Sequence, residues 1–184
     1  GSGLHSQIED LRFYLVQRET PGGLVYPNRN LDYTKAHHGV LGYEHSLGET
    51  SRLKLEGYYQ YLYDVPVIPD SSFSMLNFEQ DWTFDERLVN DGAGKNYGVE
   101  LTAERFLRDG YYWLATGSLF RSSYRGGDGL WRRTRFDQGY AANLLFGKEF
   151  TIGSRNNLLG INRRMIAVGG KRHSPIELDA SRIQ

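Results

Sequence analysis

The chain has 184 residues, enough for a sizeable core, and its 22 basic and 22 acidic side chains cancel, which removes any electrostatic case for nucleic acid or an acidic substrate. No cysteine occurs, so disulfides, thiolate metal sites and cysteine nucleophiles are excluded, and no run approaches the roughly eighteen apolar residues of a membrane-spanning helix. The mean hydropathy of −0.55 is that of a soluble protein, yet it leaves open a transmembrane β-barrel, whose strands show only alternate residues to lipid.

Helical periodicity is almost absent, and period-two alternation recurs instead. In chain order, the first predicted strand is 10–18, followed by a long connection over 19–34. Strands 35–46 and 52–65 flank the short LGETS (47–51), and a second long connection runs from Pro66 to Lys95. Within it, 72–84 is a candidate eighth element. Strands 96–107 and 111–124 meet at LRDG (107–110); RGGDGLWRRT (125–134) then leads to a strand over 135–151, and IGSRN (152–156) to one over 157–168. Several of these exceed ten residues, where about five or six is usual for globular strands. Short and long connections alternate. That is the pattern of an outer-membrane barrel, with tight periplasmic turns at one rim and longer extracellular loops at the other.

The hairpin over 96–120 predicts its own register. With residues 108–110 as a three-residue loop and Gly110 left-handed, Leu107 faces Tyr111, Arg105 faces Trp113, Ala103 faces Ala115, Leu101 faces Gly117 and Val99 faces Leu119. The other face pairs Glu104 with Leu114, Thr102 with Thr116 and Glu100 with Ser118. A two-residue loop would slip the pairing by one and mix the faces. Tyr111 and Trp113 then lie near the short turn, where an aromatic girdle would sit in a membrane. Elsewhere Tyr140, Ala142, Leu144, Phe146 and Phe150 alternate with smaller or polar residues, as do Leu53, Leu55, Gly57, Tyr59 and Tyr61. The last strand conflicts, because the neighbours Arg163 and Arg164 place one arginine on each face, and a mid-bilayer arginine costs about 2–4 kcal/mol.

Candidate chemistry is sparse. Glu100 and Glu104 share a face but stand roughly 13 Å apart along a strand, beyond the about 5–9.5 Å of paired glycosidase carboxylates. His37 and His38 point to opposite faces, and His5, His45 and His173 are scattered, so no metal site is expected. NDGAG (90–94) and GGDGL (126–130) read as loops, without the carboxylate spacing of a calcium site or a helix start to cradle phosphate. Arg132, Arg133 and Arg135 with Trp131 form a basic and aromatic cluster on a long loop, suited at an outer surface to anionic lipopolysaccharide or an acidic ligand. Tyr58, Tyr59, Tyr61 and Tyr63 fall on both faces of one strand. No catalytic, cofactor-binding or metal-ligating residue is assigned, no cofactor is implied, and the ligand-binding residues are unknown.

Several stretches in order carry a resemblance: GLHSQ (3–7), PNRNLDYTKAHHGVLGYEHSLG (27–48), LKLEGYYQYLYDVPVIPDSSFSMLN (53–77), LVNDGAGKNYGVELTAERF (88–106), GYYWLATGSLFRSSYRGGDG (110–129), TRFDQGYAANLLFGKEFTIG (134–153) and GGKRHSPIELDAS (169–181). Together they resemble the C-terminal barrel region of TonB-dependent outer-membrane receptors, of the Bacteroidota type that begins with a carboxypeptidase-regulatory-like domain. The resemblance implies a Gram-negative outer-membrane receptor for energised nutrient uptake. Its barrel would have about twenty-two strands, with a plug domain inside and a TonB-contacting segment before the plug. Neither plug nor TonB-contacting segment is found here, and SRIQ is not the aromatic-ended strand of a finished barrel. The expectation is therefore an all-β chain, a single partial barrel domain over 1–184. It comprises about seven or eight long antiparallel transmembrane strands and is incomplete as a barrel. Its implied partners are outer-membrane lipid, the remainder of the barrel, the plug, and the TonB complex through the absent N-terminal part. Alone it would close only a narrow, side-chain-filled barrel, or leave edges that lipid cannot satisfy. A different reading is a soluble, secreted β-sandwich that binds carbohydrate through Trp82, Trp131 and loop tyrosines. A barrel enzyme is a third, disfavoured by the absence of a Ser/His/Asp or paired-carboxylate arrangement.

Overall fold

The computed structural model describes residues 1–78, 84–153 and 157–172. Its elements are β1 (Ser2–Gln7), α1 (Leu11–Tyr14), β2 (Arg18–Thr20), β3 (Gly23–Val25), β4 (Thr34–Leu47), β5 (Ser51–Val67), β6 (Val89–Arg108), β7 (Tyr111–Arg125), β8 (Trp131–Arg133), β9 (Tyr140–Ile152) and β10 (Asn157–Val168). The main sheet is antiparallel in the order β1-β4-β5-β6-β7-β9-β10, with β8 against the end of β7, and β2–β3 is a separate hairpin. The chain is thus all-β and antiparallel. Among the described residues β1 and β10 do not pair, so the sheet stays open and no barrel closes.

All the short connections between sheet neighbours lie at one rim and all the long ones at the other. Leu47 pairs with Ser51, Arg108 with Tyr111, and Ile152 with Asn157. The opposite rim carries the stretches 8–33, 68–78 with 84–88, and 126–139.

The 96–120 hairpin has the predicted pairing from Val99–Leu119 through Arg105–Trp113, but its turn differs. Arg108 pairs with Tyr111, leaving a two-residue Asp109–Gly110 turn with φ of 56° and 74°. Positive φ at both positions is what a type I′ turn requires and what Asp-Gly supplies. A register irregularity between Arg105 and Arg108 absorbs the one-residue difference, so the β-bulge restores the two faces that the turn alone would mix.

Four expectations need correction. Residues 10–18 are not a strand. The Asp10 side chain accepts from Arg12 N at 3.0 Å and caps the short α1, and Phe13 and Val16, three residues apart, are both buried; helical spacing won over apparent alternation. The strand in this region is β1, which pairs with β4. Residues 72–78 form no strand either: Ser74 caps a 3-10 turn over Met75–Asn77 and makes one isolated bridge to Val67. Residues 79–83 of that candidate, Trp82 among them, lie outside the described residues, as does His173. NDGAG belongs to β6 rather than to a loop; a side chain at Gly92 would strike Val67 and Val65, and one at Gly94 would strike Leu76 and Leu62. The strand expected from 135 begins at Tyr140, because Thr134 and Asp137 form a turn, with Asp137 N bonded to Thr134 O at 3.1 Å.

Between its register irregularities, cross-strand pairing assigns the residues of the main sheet to one of two faces. The apolar face carries Leu41, Tyr43, Leu53, Leu55, Tyr59, Val99, Leu101, Ala115, Leu119, Leu144, Phe146, Ile161 and Met165. Among the described residues nothing covers it: Leu41 is 82% exposed, Leu119 63% and Ile161 58%. The buried residues cluster instead at the long-connection rim, where Phe13 packs edge-on against Phe78 and Phe84, and Phe73 joins them. Asn28, fully buried, fastens the first long connection to the second, donating to Glu86 O at 2.9 Å and accepting from Leu88 N at 2.8 Å.

Candidate functional surfaces

The polar face is tiled by side-chain bonds that cross strands. Thr134 Oγ1 donates to Ser122 Oγ at 2.9 Å, Ser122 Oγ to Asn96 Oδ1 at 2.7 Å, and Asn96 Nδ2 to Gln60 Oε1 at 2.9 Å. Nearer the short turns, Arg52 Nε donates to Glu104 Oε1 at 2.6 Å and its Nη1 to Glu44 at 3.3 Å. Lys54 pairs with Glu56 at 2.7 Å, and Tyr112 donates to Asn162 at 3.0 Å. Glu100 and Glu104 do share this face, with Glu104 engaged by Arg52 and Glu100 opposite Glu56 and Ser118. The arrangement offers a hydrophilic wall on which Glu44, Glu56 and Glu104 are each paired with a cation.

The two last-strand arginines divide as their adjacency dictates. Arg164 is on the polar face and donates to Asn143 at 2.9 Å. Arg163 is on the apolar face opposite Phe146, in one cross-strand row with Trp113 and Arg105. Arg105 reaches toward the short turn, pairing with Asp109 at 3.2 Å and lying 4.3 Å from the Tyr111 ring. A long arginine stem can cover apolar surface in this way while its head finds water.

Three of the four strand-β5 tyrosines, Tyr59, Tyr61 and Tyr63, are on the apolar face near the long-connection rim, and Tyr58 alone is on the polar one. Tyr59 stacks on Tyr97, Tyr61 on Tyr63, and His37 on Tyr63 at 5.2 Å. His38 turns to the other face, and β1 sets His5 beside it at 6.1 Å between ring centroids, a neighbour that sequence spacing did not reveal. Among the described residues no three His, Asp or Glu side chains converge as metal ligands.

The basic and aromatic cluster is rearranged. Strand β8 pairs Trp131 with Arg125, Arg132 with Tyr124 and Arg133 with Ser123, so Trp131 and Arg133 share the apolar side while Arg132 turns away. Arg132 clamps Asp128 with two bonds of 2.9 and 2.7 Å, and the Arg132 bond, aided by the Leu130 N–H, holds the Asp128 carboxyl below the ordinary carboxylate range. Arg135 is tied through its backbone N–H to Asn77 Oδ1 at 2.7 Å. In their place Lys95, Arg121 and Arg125 join Trp131 and Arg133. The GGDGL stretch is a loop as expected, packed by Gly126 and Gly127 against the backbone of residues 68–72. Asp137 is fully buried, accepts from Ser122 N at 3.1 Å, and lies 3.6 Å from both Arg121 and Arg133.

No family model, curated protein or solved structure matches this chain.

Proposed function

We propose that this chain forms part of the wall of a transmembrane β-barrel in a Gram-negative outer membrane, and specifically of a TonB-dependent receptor that takes up a nutrient. The observation that carries the barrel reading is the uncovered apolar face of the sheet, backed by a hydrogen-bonded polar face. A soluble sandwich would lay a second sheet over such a face; among the described residues none lies there, and its large side chains are exposed. Connections sorted by rim, and aromatic residues at both ends of the apolar band, support the same reading. The receptor assignment rests on the ordered resemblance alone.

In this reading the apolar face meets lipid, with Tyr111 and Trp113 at the periplasmic rim. The polar face and long connections meet the plug and ligand, and β1 and β10 pair with the remainder of the barrel. TonB acts through the N-terminal part of the receptor. The chain does no covalent chemistry.

The absence of native cysteine makes the test clean. A nitroxide on Leu101→Cys should collide with lipid-soluble oxygen, and one on Thr102→Cys with a water-soluble nickel chelate. Equal accessibility on both faces would sink the barrel reading. For the receptor part, a gene that also encodes a plug and a TonB-contacting segment is the expected finding; a gene without them removes that part and leaves the barrel standing.

A further inference from the structure

The pairing of β1 with β4 brings together two histidines that lie far apart in the chain. Gly3 pairs with His38 and Ala36 with His5, so the two histidines are diagonal neighbours on one face of the sheet. That face is the polar one, since His38 is opposite Gln60. The ring centroids are 6.1 Å apart, with the planes at 78°. A Cβ at Gly3 would stand 3.0 Å from His5 Nε2, so glycine leaves the His5 ring its space beside His38. Among the described residues neither imidazole makes a hydrogen bond or an ion pair. Their ring nitrogens are uncommitted. His37 takes no part, because it is on the other face, stacked on Tyr63.

Unprotonated imidazole nitrogens suit copper, nickel and zinc better than magnesium or calcium. With metal–nitrogen bonds of about 2.0 Å, two imidazoles on one ion have centroids roughly 4.5–5 Å apart in square-planar or tetrahedral geometry. The pair must therefore close by about 1 Å, and His5, exposed on an edge strand, is free to rotate that far. Among the described residues no third His, Asp or Glu converges on the pair. The remaining coordination positions are thus open to water or to donor atoms of a small molecule.

We infer that His5 and His38 bind one divalent transition-metal ion, copper(II) most tightly. The ion ties the edge strand β1 to β4 and presents its open positions on the polar face. This does not depend on what lies against the apolar face.

The full protein, carrying no polyhistidine tag, is titrated with copper(II), nickel(II) and zinc(II) salts by calorimetry, in detergent micelles or in buffer, whichever keeps it folded. One copper ion per chain should bind, more tightly than nickel or zinc, and its paramagnetic resonance spectrum should show coupling to two imidazole nitrogens. His5→Ala and His38→Ala should each weaken binding at least about tenfold, the lower range for losing even a group that supports a metal ligand, and leave one coupled nitrogen. His37→Ala should leave both readouts unchanged. Circular dichroism of the metal-free variants checks that they fold, and His5→Gln, at an exposed position, gives a second variant that removes the ligand. The inference is overturned if a folded variant lacking either histidine binds copper like the parent, if His37→Ala loses as much, or if the bound copper shows no imidazole coupling. None of these outcomes bears on the barrel reading, which the nitroxide measurements test separately.

Discussion

At the scale of single residues, stability concentrates where the long connections meet. Asn28 uses its side-chain amide to satisfy the backbone of two residues on another connection, and it is fully buried. Asn28→Ala leaves the Leu88 N–H and Glu86 carbonyl without these partners inside the fold, an expected loss of about 1–3 kcal/mol, read as a lower urea midpoint at unchanged slope. Asp128 makes a second, pH-dependent fastening. Its folded pKa lies below the usual value because of Arg132, so the clamp contributes above the unfolded pKa and is lost as pH falls through the folded one. In a variant that keeps Trp131 as its one tryptophan, with Trp82 and Trp113 replaced by Phe, its fluorescence should shift in acid below the ordinary carboxylate range. In Asp128→Asn that transition should be missing.

At the scale of elements, the 96–120 hairpin shows how turn chemistry and face chemistry cooperate. Asp109 and Gly110 set the turn, the bulge beside Phe106 and Leu107 corrects its count, and the apolar face stays whole. Gly110→Ala forces a side chain into the left-handed region and against Glu149 O, 2.9 Å from the added atom; the expected cost is about 1–2 kcal/mol, measured by denaturant unfolding. The faces predict a sharper asymmetry. Leu101→Arg should cost about 2–4 kcal/mol in a bilayer, while Thr102→Arg, one residue away on the polar face, should fold nearly as well. Equal effects would argue against lipid on the apolar side. Sequence alternation made this hairpin, β4, β5 and β10 legible, because period two is a property of each strand by itself. It misled at 10–18, where alternation and helical spacing coincide over so few residues that only the packing of Phe13 and Val16 decides.

At the scale of the whole molecule, a sheet that among the described residues is open, with two unpaired edges and an uncovered apolar face, is poorly suited to water. The expected behaviour in plain buffer is aggregation, with a folded, monodisperse form obtained only in detergent or lipid; size-exclusion chromatography with circular dichroism reads both. Strand type, the main register and the sorting of connections were determined by the sequence itself, since side-chain alternation and turn residues act over a few neighbouring positions. Only the tertiary structure decided that Lys95, Arg121 and Arg125 meet Trp131 and Arg133, that Arg132 leaves that group, and that Asn28 locks two connections. Those contacts join residues far apart in the chain, and sheet order, bulges and the packing of the long connections set them.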